Sequence, residues 1–287
     1  MSARVVLTLR AALAERLEGA GVTADRLATL GEHEIAMLPA WVGPRQIAMG
    51  DVFEVRGGGA DQVVVRGDLG RVDGLGVDTA GGDLVIEGDA GARVAAGMSG
   101  GRVVVHGSVG DDAGVAMRGG VLRVMGAAGD RLGAAWPGAA KGMTGGEIVV
   151  TGRAGRETAT HVRRGLVAVG GEVGLDAARA MIAGTLVVLG RAGLVGRGSK
   201  RGTVIAAGGV VVPETYAYAC SYRPSFVRLV LTHLRRRHGL AVAEAALEGR
   251  YRRHCGDAGV PGKGEILELM TAGTSSADPG VPETADA

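Results

Sequence analysis

Valine and isoleucine alternate with other residues in short runs along the middle of the chain. The runs DLVIEG, RVVVHG, EIVVTG and TLVVLG begin at Asp83, Arg102, Glu147 and Thr185. Alternation with a period of two predicts short strands with one buried face. Each run ends at a glycine, and glycine tolerates the positive φ that tight turns require. The pattern therefore predicts a series of short strands separated by turns.

The runs belong to a nineteen-residue repeat that starts at Asp61 and continues through seven units into an eighth. Glycine recurs at the seventh and tenth places of the first seven units. These pairs are Gly67/Gly70, Gly88/Gly91, Gly107/Gly110, Gly126/Gly129, Gly152/Gly155, Gly171/Gly174 and Gly190/Gly193. The unit from Gly120 carries seven additional residues around the sequence AAWPGAAK. One strand per unit, with turns between, is typical of a solenoid.

We therefore predict an all-β solenoid, a right-handed parallel β-helix of about seven to eight 19-residue glycine-rich coils. The handedness follows from the right-handed crossovers of parallel strands. The seventeenth place of the unit holds Met98, Met117, Met143 and Met181, with Val162 between the last two. Methionine fills irregular interiors well, so we predict that this column is stacked in the core.

The flanks differ from the repeat and predict four segments. Residues 1–58 form an N-terminal strand and helix segment with a cap, 59–212 the β-helix, 213–270 a helical C-terminal segment, and 271–287 a flexible tail. Thr23 is placed to cap a short helix. Residues 222–239 predict an amphipathic helix that ends at Gly239. Its expected apolar face holds Phe226, Leu229, Val230 and Leu234.

Composition narrows the class of protein. Glycine accounts for 53 of 287 residues, yet 46% are hydrophobic, which excludes a disordered low-complexity chain. Aromatic residues make up only 3%, which disfavours a stacking platform for single-stranded nucleic acid. The net charge of +2 gives no general reason for nucleic-acid or membrane binding. Two cysteines fit neither a disulfide framework nor a metal motif, so we expect a cytoplasmic location.

Several apparent chemical motifs are better explained by the repeat. Residues 167–179 resemble a dinucleotide-binding turn, but their Gly171 and Gly174 are one of the repeat pairs. His233 and His238 lie five residues apart on the predicted helix, and the other histidines have no partner near in sequence. We therefore predict no metal site and no catalytic residue in this chain, and expect no catalysis by the chain alone.

Basic residues occupy the eighteenth and nineteenth places of several units. They are Arg118, Arg163, Arg164, Lys200 and Arg201. Ser99, Thr144 and Ile182 interrupt the series. If neighbouring units lie in register, these side chains form a partly basic stripe along one edge, suited to carboxylates through paired hydrogen bonds.

The repeat resembles the glycine-rich β-helix shared by the carboxy-terminal domain of glutamate synthase and the C subunit of formylmethanofuran dehydrogenase. Two flanking sequences favour the second family, MGDVFEVRG over residues 49–57 and GDAGVPGKGEILEL over residues 256–269. The chain length also matches a separate subunit. The resemblance covers roughly residues 38 to 269, and includes the related C subunit of the formyltransferase/hydrolase complex of methylotrophic bacteria.

The resemblance implies a non-catalytic scaffold subunit of a multisubunit formyltransferase/hydrolase complex. Such a complex releases formate from a formyl-methanofuran-type carrier. The implied partners are hydrolase-like and formyltransferase subunits, with no nucleic acid and no membrane. The resemblance also implies no cofactor bound by this chain alone, a methanofuran-type carrier at the level of the complex, and a metal in a partner subunit. Because these carriers have glutamate-containing tails, the basic stripe is a candidate for holding an anionic tail or a partner; a solvated edge is the simpler explanation.

Three other functions stay open. The chain could be the C subunit of a molybdenum or tungsten formylmethanofuran dehydrogenase, or a detached glutamate synthase-type domain. A free-standing β-helical enzyme, such as a polysaccharide lyase, is disfavoured by the scarcity of aromatic residues. The arginine- and alanine-rich composition resembles that of a high-GC bacterium and favours the hydrolase complex.

Overall fold

The structure, a computed structural model, describes residues 4–19 and 21–270. The predicted flexible tail over residues 271–287 lies outside these described residues. The N-terminal segment contains β1 (Val5–Leu9), β2 (Leu17–Glu18), α1 (Ala24–Leu27), α2 (Glu32–Ala36), β3 (Pro39–Val42), β4 (Arg45–Ala48), α3 (Met49–Val52) and β5 (Phe53–Arg56). Thr23 is the N-cap residue of α1 as predicted, but its side chain makes no capping hydrogen bond.

The repeat region supplies most of the remaining strands. They are β6 (Gln62–Arg66), β7 (Val72–Asp73), β8 (Asp83–Glu87), β9 (Arg102–Val105), β10 (Val121–Val124), β11 (Glu147–Val150), β12 (Leu166–Val169), β13 (Thr185–Val188), β14 (Ala192–Leu194), β15 (Thr203–Ala206) and β16 (Val210–Val211). The C-terminal segment contains β17 (Tyr216–Tyr222), α4 (Ser225–His238), α5 (Glu244–Glu248), β18 (Tyr251–Asp257) and β19 (Glu265–Leu269).

One large mixed sheet dominates the described part of the chain. It has 13 strands in the order β17-β18-β19-β15-β13-β12-β11-β10-β9-β8-β6-β1-β5. The repeat strands pair in parallel, whereas β1 with β5, β17 with β18, and β18 with β19 are antiparallel. Two small sheets accompany it, β4-β3-β2-β7 and β14-β16.

The prediction of a right-handed parallel β-helix is wrong. The strands form a large mixed sheet with few helices, and the described residues give no solenoid or closed sheet. The repeat does determine the spacing between parallel strands, but a sequence repeat contains no information on whether a sheet closes. The flanks also contribute antiparallel strands at both ends of the sheet, which the repeat could not reveal.

The register of the sheet follows the repeat. Arg102 pairs with Asp83 on one side and with Val121 on the other, one repeat length away in each direction. The longer unit changes nothing in this pairing, because Val121 pairs with Glu147 across the whole of that unit. The additional residues lie in a turn-rich loop held by the hydrogen bond from the Ala139 amide to the Trp136 carbonyl.

The methionine column packs in the core, as predicted. Met98, Met117, Met143, Met181 and Val162 are fully buried. Each methionine lies beside the glycine that begins the second unit after its own. Met117, for example, lies beside Gly146, where an added Cβ would be 2.8 Å from Met117 Cε. Gly146 also has a φ of +89°. This glycine is therefore required both by its positive φ and by the Gly120 carbonyl oxygen, which would lie 2.7 Å from a Cβ there.

Helix α4 lies against the outer face of the large sheet. Val227, Leu231 and Leu234 are buried in a second hydrophobic cluster with Val149, Ala168, Val187 and Ile205 of the sheet. Of the predicted apolar face, Leu234 is buried and Val230 partly buried, but Phe226 and Leu229 are exposed, Leu229 by 72%. Gly239 adopts the left-handed conformation with φ +63° and ends the helix, as predicted.

Candidate functional site

The basic edge, defined as Arg118, Arg163, Arg164, Lys200 and Arg201, lies immediately before the starts of the parallel strands. The backbone amides of Arg118, Arg163 and Lys200 donate to the carbonyls of Met98, Met143 and Met181, at 2.7, 2.8 and 2.8 Å. Thr144 and Ile182 make the equivalent bonds to Met117 and Val162 in the intervening units. The structure thus brings the predicted residues into one row, with a basic residue in every second unit.

The spacing and pairing of these charges define what the edge can bind. Two strand spacings put successive basic positions roughly 10 Å apart. The Arg118 guanidinium lies 3.4 Å from the Asp78 carboxylate, and its side chain is 56% exposed. Arg163, Arg164, Lys200 and Arg201 are exposed, and their side chains make no hydrogen bond or ion pair with the described residues. Within the described residues, these four cationic groups are therefore available to external anions.

Several other arginines of the repeat form ion pairs within the fold. Arg102 donates to Asp83 at 3.0 and 2.6 Å, in the preceding unit. Arg131 and Asp112 make two bonds of 2.7 Å, and the hydrogen bond from Arg131 to Asp112 raises the pKa of Arg131 above its usual value. Arg179 donates to Glu157 and Arg197 to Asp176 in the same way. Arg153 and Arg191 of the repeat are also exposed and have no acidic partner among the described residues, so the basic edge is distinguished by the row that its members form.

A second group of polar residues, the Glu–His cluster, joins helix α4 to the sheet. It consists of Glu147 at the start of β11 and of His233 and His238 on α4. His233 Nε2 lies 3.0 Å from Glu147 Oε1 and 3.2 Å from Oε2, and His238 Nε2 lies 2.8 Å from Oε2. Burial tends to raise the pKa of Glu147, but hydrogen bonds from both imidazoles outweigh it and lower that pKa. Glu147 is therefore a carboxylate at neutral pH.

Sequence reasoning missed this cluster. The sequence places His233 and His238 near each other but gives no sign of Glu147, which lies far away along the chain. Three potential metal-ligating atoms, one from each residue, lie within 4.8 Å of one another. The available signal was the presence of two histidines on a helix predicted to be amphipathic, but their common partner could be found only from the packing of α4.

None of the helices in the described part of the chain has the length and apolar character needed to cross a bilayer.

The chain combines a glycine-rich repeat, a large mixed sheet and a C-terminal helix packed on that sheet. By its fold it is a mixed-sheet protein built on a glycine-rich repeat. No protein-family profile matches it. A chain in the X-ray crystal structure of the formyltransferase/hydrolase complex (FhcABCD) from Methylorubrum extorquens, determined with methylofuran, superimposes with a TM-score of 0.85 and 36% identity. That match covers 93% of this chain and 100% of the other.

Two curated relatives match shorter segments. The C subunit of the formyltransferase/hydrolase complex Fhc of Methylorubrum extorquens is 37% identical over 88 residues, which is 31% of this chain and 33% of that protein. The C subunit of the molybdenum-containing formylmethanofuran dehydrogenase 1 of Methanosarcina barkeri is 32% identical over 97 residues, or 32% of each chain. The matched segments span about a third of both relatives. The chain belongs to the family of C subunits of formyltransferase/hydrolase complexes and formylmethanofuran dehydrogenases.

Proposed function

We propose that this chain is a non-catalytic scaffold subunit of a multisubunit formyltransferase/hydrolase complex that acts on a formyl-methanofuran-type carrier. The observation that carries the proposal is the 36% identity over 93% of the chain with a chain of the Methylorubrum extorquens complex. Its partners are then hydrolase-like and formyltransferase subunits, the carrier binds at the level of the complex, and a metal ion is held by a partner subunit. A cytoplasmic location stays a prediction from the sequence.

The test is to tag this chain in its own host, purify it gently, and analyse the companions by mass spectrometry and the metals by elemental analysis. We expect formyltransferase and hydrolase-like subunits without molybdenum or tungsten. Isolation of the chain without any companion would contradict the proposal and favour a free-standing enzyme. A glutaminase or a flavin and iron–sulfur partner would favour a glutamate synthase-type role.

The second candidate is the C subunit of a molybdenum-containing formylmethanofuran dehydrogenase. The 32% identity to the Methanosarcina barkeri protein favours it. Molybdenum or tungsten together with a pterin in the purified complex would establish this alternative, and hydrolysis of the formyl carrier without electron transfer would exclude it.

The basic edge is proposed to hold the anionic tail of the carrier. The support is its row of exposed guanidinium and ammonium groups, four of them unpaired within the described residues. Arginine binds carboxylates through paired hydrogen bonds, and the roughly 10 Å spacing allows several carboxylates of one tail to bind along the row. An acidic surface of a partner subunit would be recognised by the same chemistry.

Replacing Arg163, Arg164, Lys200 and Arg201 with serine tests this role in the intact complex. We expect a higher KM for the carrier with kcat retained, because the change removes binding remote from the reacting atoms. The matched control replaces four other exposed arginines, Arg153, Arg191, Arg236 and Arg237, and removes the same charge. An unchanged KM, or an equal rise in both variants, contradicts tail binding. Loss of a partner subunit would instead assign the edge to assembly.

A further inference from the structure

We propose that Glu147, His233 and His238 form a binding site for a divalent transition-metal ion, with zinc the expected ion. The observation is convergence: both imidazoles direct their Nε2 atoms at the two oxygens of one carboxylate, at 2.8 to 3.2 Å. The two rings lie 5.3 Å apart and nearly perpendicular, with an interplanar angle of 73°. This inference goes beyond the proposed function and does not depend on it.

The distances are close to those of a zinc site. Zinc binds imidazole nitrogen and carboxylate oxygen at about 2.0 to 2.2 Å, so tetrahedral ligand atoms lie roughly 3.4 Å apart. The nitrogen–oxygen separations in the Glu–His cluster are a few tenths of an ångström shorter. The exposed His233 side chain, 42% accessible, is able to move away from the carboxylate, and the 2.8 Å separation between His238 and Glu147 must also widen as the ion enters.

The supporting elements hold the ligands in place before an ion binds. Glu147 is the first residue of β11 and pairs with Val121 and Leu166 in the neighbouring strands. His238 is in the last turn of α4, and its side chain is only 5% exposed. The buried face of α4 fixes the helix against this part of the sheet. Little ordering is therefore required when the metal binds.

The donor set selects the kind of ion. Two imidazoles and one carboxylate suit zinc and similar transition metals, whereas calcium and magnesium prefer oxygen ligands alone. Three protein ligands leave a fourth position on the exposed His233 side for water or an external ligand. A bound ion would link the C-terminal helix directly to the sheet, adding a cross-link between segments distant in sequence.

The chain contains a natural control in a second His–Glu pair. His254 Nε2 lies 3.3 Å from Glu268 Oε2, on the neighbouring strands β18 and β19. This pair has one imidazole and one carboxylate, so it lacks the second imidazole of the Glu–His cluster. We expect no tight zinc binding there.

The experiment titrates zinc chloride into the full-length chain, freed of metal with a chelator, by isothermal calorimetry. We expect one equivalent to bind, and His233→Ala and Glu147→Gln to weaken binding at least about tenfold. His254→Ala should bind zinc as the wild type does. Because His233 is exposed, its variant should fold even if a His238 variant does not; thermal unfolding in chelator checks this.

Cobalt provides an independent readout. Cobalt bound by nitrogen and oxygen ligands gives visible d–d bands without the near-ultraviolet thiolate charge-transfer band that cysteine ligands produce. We expect the first set of bands and their loss in His233→Ala. Absence of zinc binding to the wild-type chain, equal binding by all variants, or loss on His254→Ala overturns the proposal.

Discussion

The repeat region and the C-terminal segment build the same sheet by different means. From β8 to β13 every pair of strands is parallel and keeps its register without a shift. In the C-terminal segment, β17 and β18 are antiparallel, and their register shifts twice. Helix α4 covers that end of the structure with its own hydrophobic cluster. The repeat depends on small residues placed regularly, whereas its end depends on individual large side chains.

The largest loss of stability in the repeat region is expected from adding a single methyl group at a glycine that is stacked on the neighbouring unit. A Cβ at Gly146 would lie 2.7 Å from the Gly120 carbonyl oxygen and 2.8 Å from the Gly119 carbonyl carbon, both backbone atoms. Positive φ adds a further penalty, so we expect Gly146→Ala to lower the free energy of unfolding by about 4 kcal/mol in urea denaturation.

The control for this variant is Gly138→Ala. Gly138 has a similar positive φ of +81°, but a Cβ there meets nothing within 4 Å. We expect a loss of about 1 kcal/mol, from the backbone conformation alone. Equal losses in the two variants would show that close packing between units contributes nothing to the requirement for glycine.

The C-terminal segment should lose stability when a large buried side chain is truncated. Leu231 is fully buried between α4 and the sheet, so Leu231→Ala should lower the free energy of unfolding by about 3 kcal/mol. Leu229→Ala, on the exposed side of the same helix, should change it by less than about 0.5 kcal/mol. Chemical denaturation of both variants measures the difference. A larger loss of stability for Leu229→Ala would contradict the assignment of Leu231 to the buried face of α4.

Asp257 in the C-terminal segment is hydrogen-bonded to Gly198 in the repeat region, so the stability of the contact between the two regions should depend on pH. Its carboxylate accepts hydrogen bonds from the Gly198 amide at 2.6 Å and the Gly259 amide at 2.8 Å. Burial tends to raise the pKa of Asp257, but these backbone bonds and one from Thr215 outweigh it and lower that pKa. We expect Asp257→Ala to lower the free energy of unfolding by about 1 to 3 kcal/mol at pH 7, because the Gly198 and Gly259 amides lose a charged acceptor.

The sign of the pH effect follows from the lowered pKa. The contribution of Asp257 is fully present above the ordinary aspartate pKa of about 3.9 and is lost as the pH falls through the lower folded value. The gap between wild type and Asp257→Ala should therefore narrow in urea denaturation below about pH 4. A gap that stays constant down to about pH 2 would mean that the carboxylate charge contributes nothing.

The smallest effect is expected from the arginine pairs of the repeat. Arg102 makes two hydrogen bonds to Asp83, but its side chain is 58% exposed. Arg102→Ser should lower the free energy of unfolding by at most about 0.5 kcal/mol, and added salt should reduce even that. A loss as large as that for truncating a buried leucine, about 2 kcal/mol or more, would show that these exposed pairs stabilise the sheet as strongly as its core does.

The sequence predicted those features in which each unit has the same environment. The burial of the methionine column was predicted correctly because the same place has the same surroundings in every unit, and the strand register follows the repeat for the same reason. The β-helix was wrong because a repeat defines spacing between strands but not closure, and because β5, β17 and β18 come from non-repeating flanks. The apolar face of α4 was partly wrong because apolar residues lie on more than one side of the helix: Val227 and Leu231 are buried, whereas Phe226 and Leu229 are exposed.

The candidate sites differ in the same way. The basic edge could be found because its members recur at fixed places in the unit. The Glu–His cluster could not, since it depends on how α4 crosses β11, and this crossing is determined by side chains far apart in the sequence. A candidate site whose residues recur in the repeat can thus be predicted from the sequence. A site formed by a single contact between distant segments cannot.

The loop inside the unit from Gly120 has a consequence for how this protein can change over evolution. Strands β10 and β11 keep their pairing although seven more residues separate them than in a regular unit. Selection can therefore alter the length and composition of this loop, which exposes Trp136, without repacking the sheet. Related chains could acquire new surface contacts at this point while retaining the strand register, so we expect lineages to diverge here before they diverge at the stacked glycines.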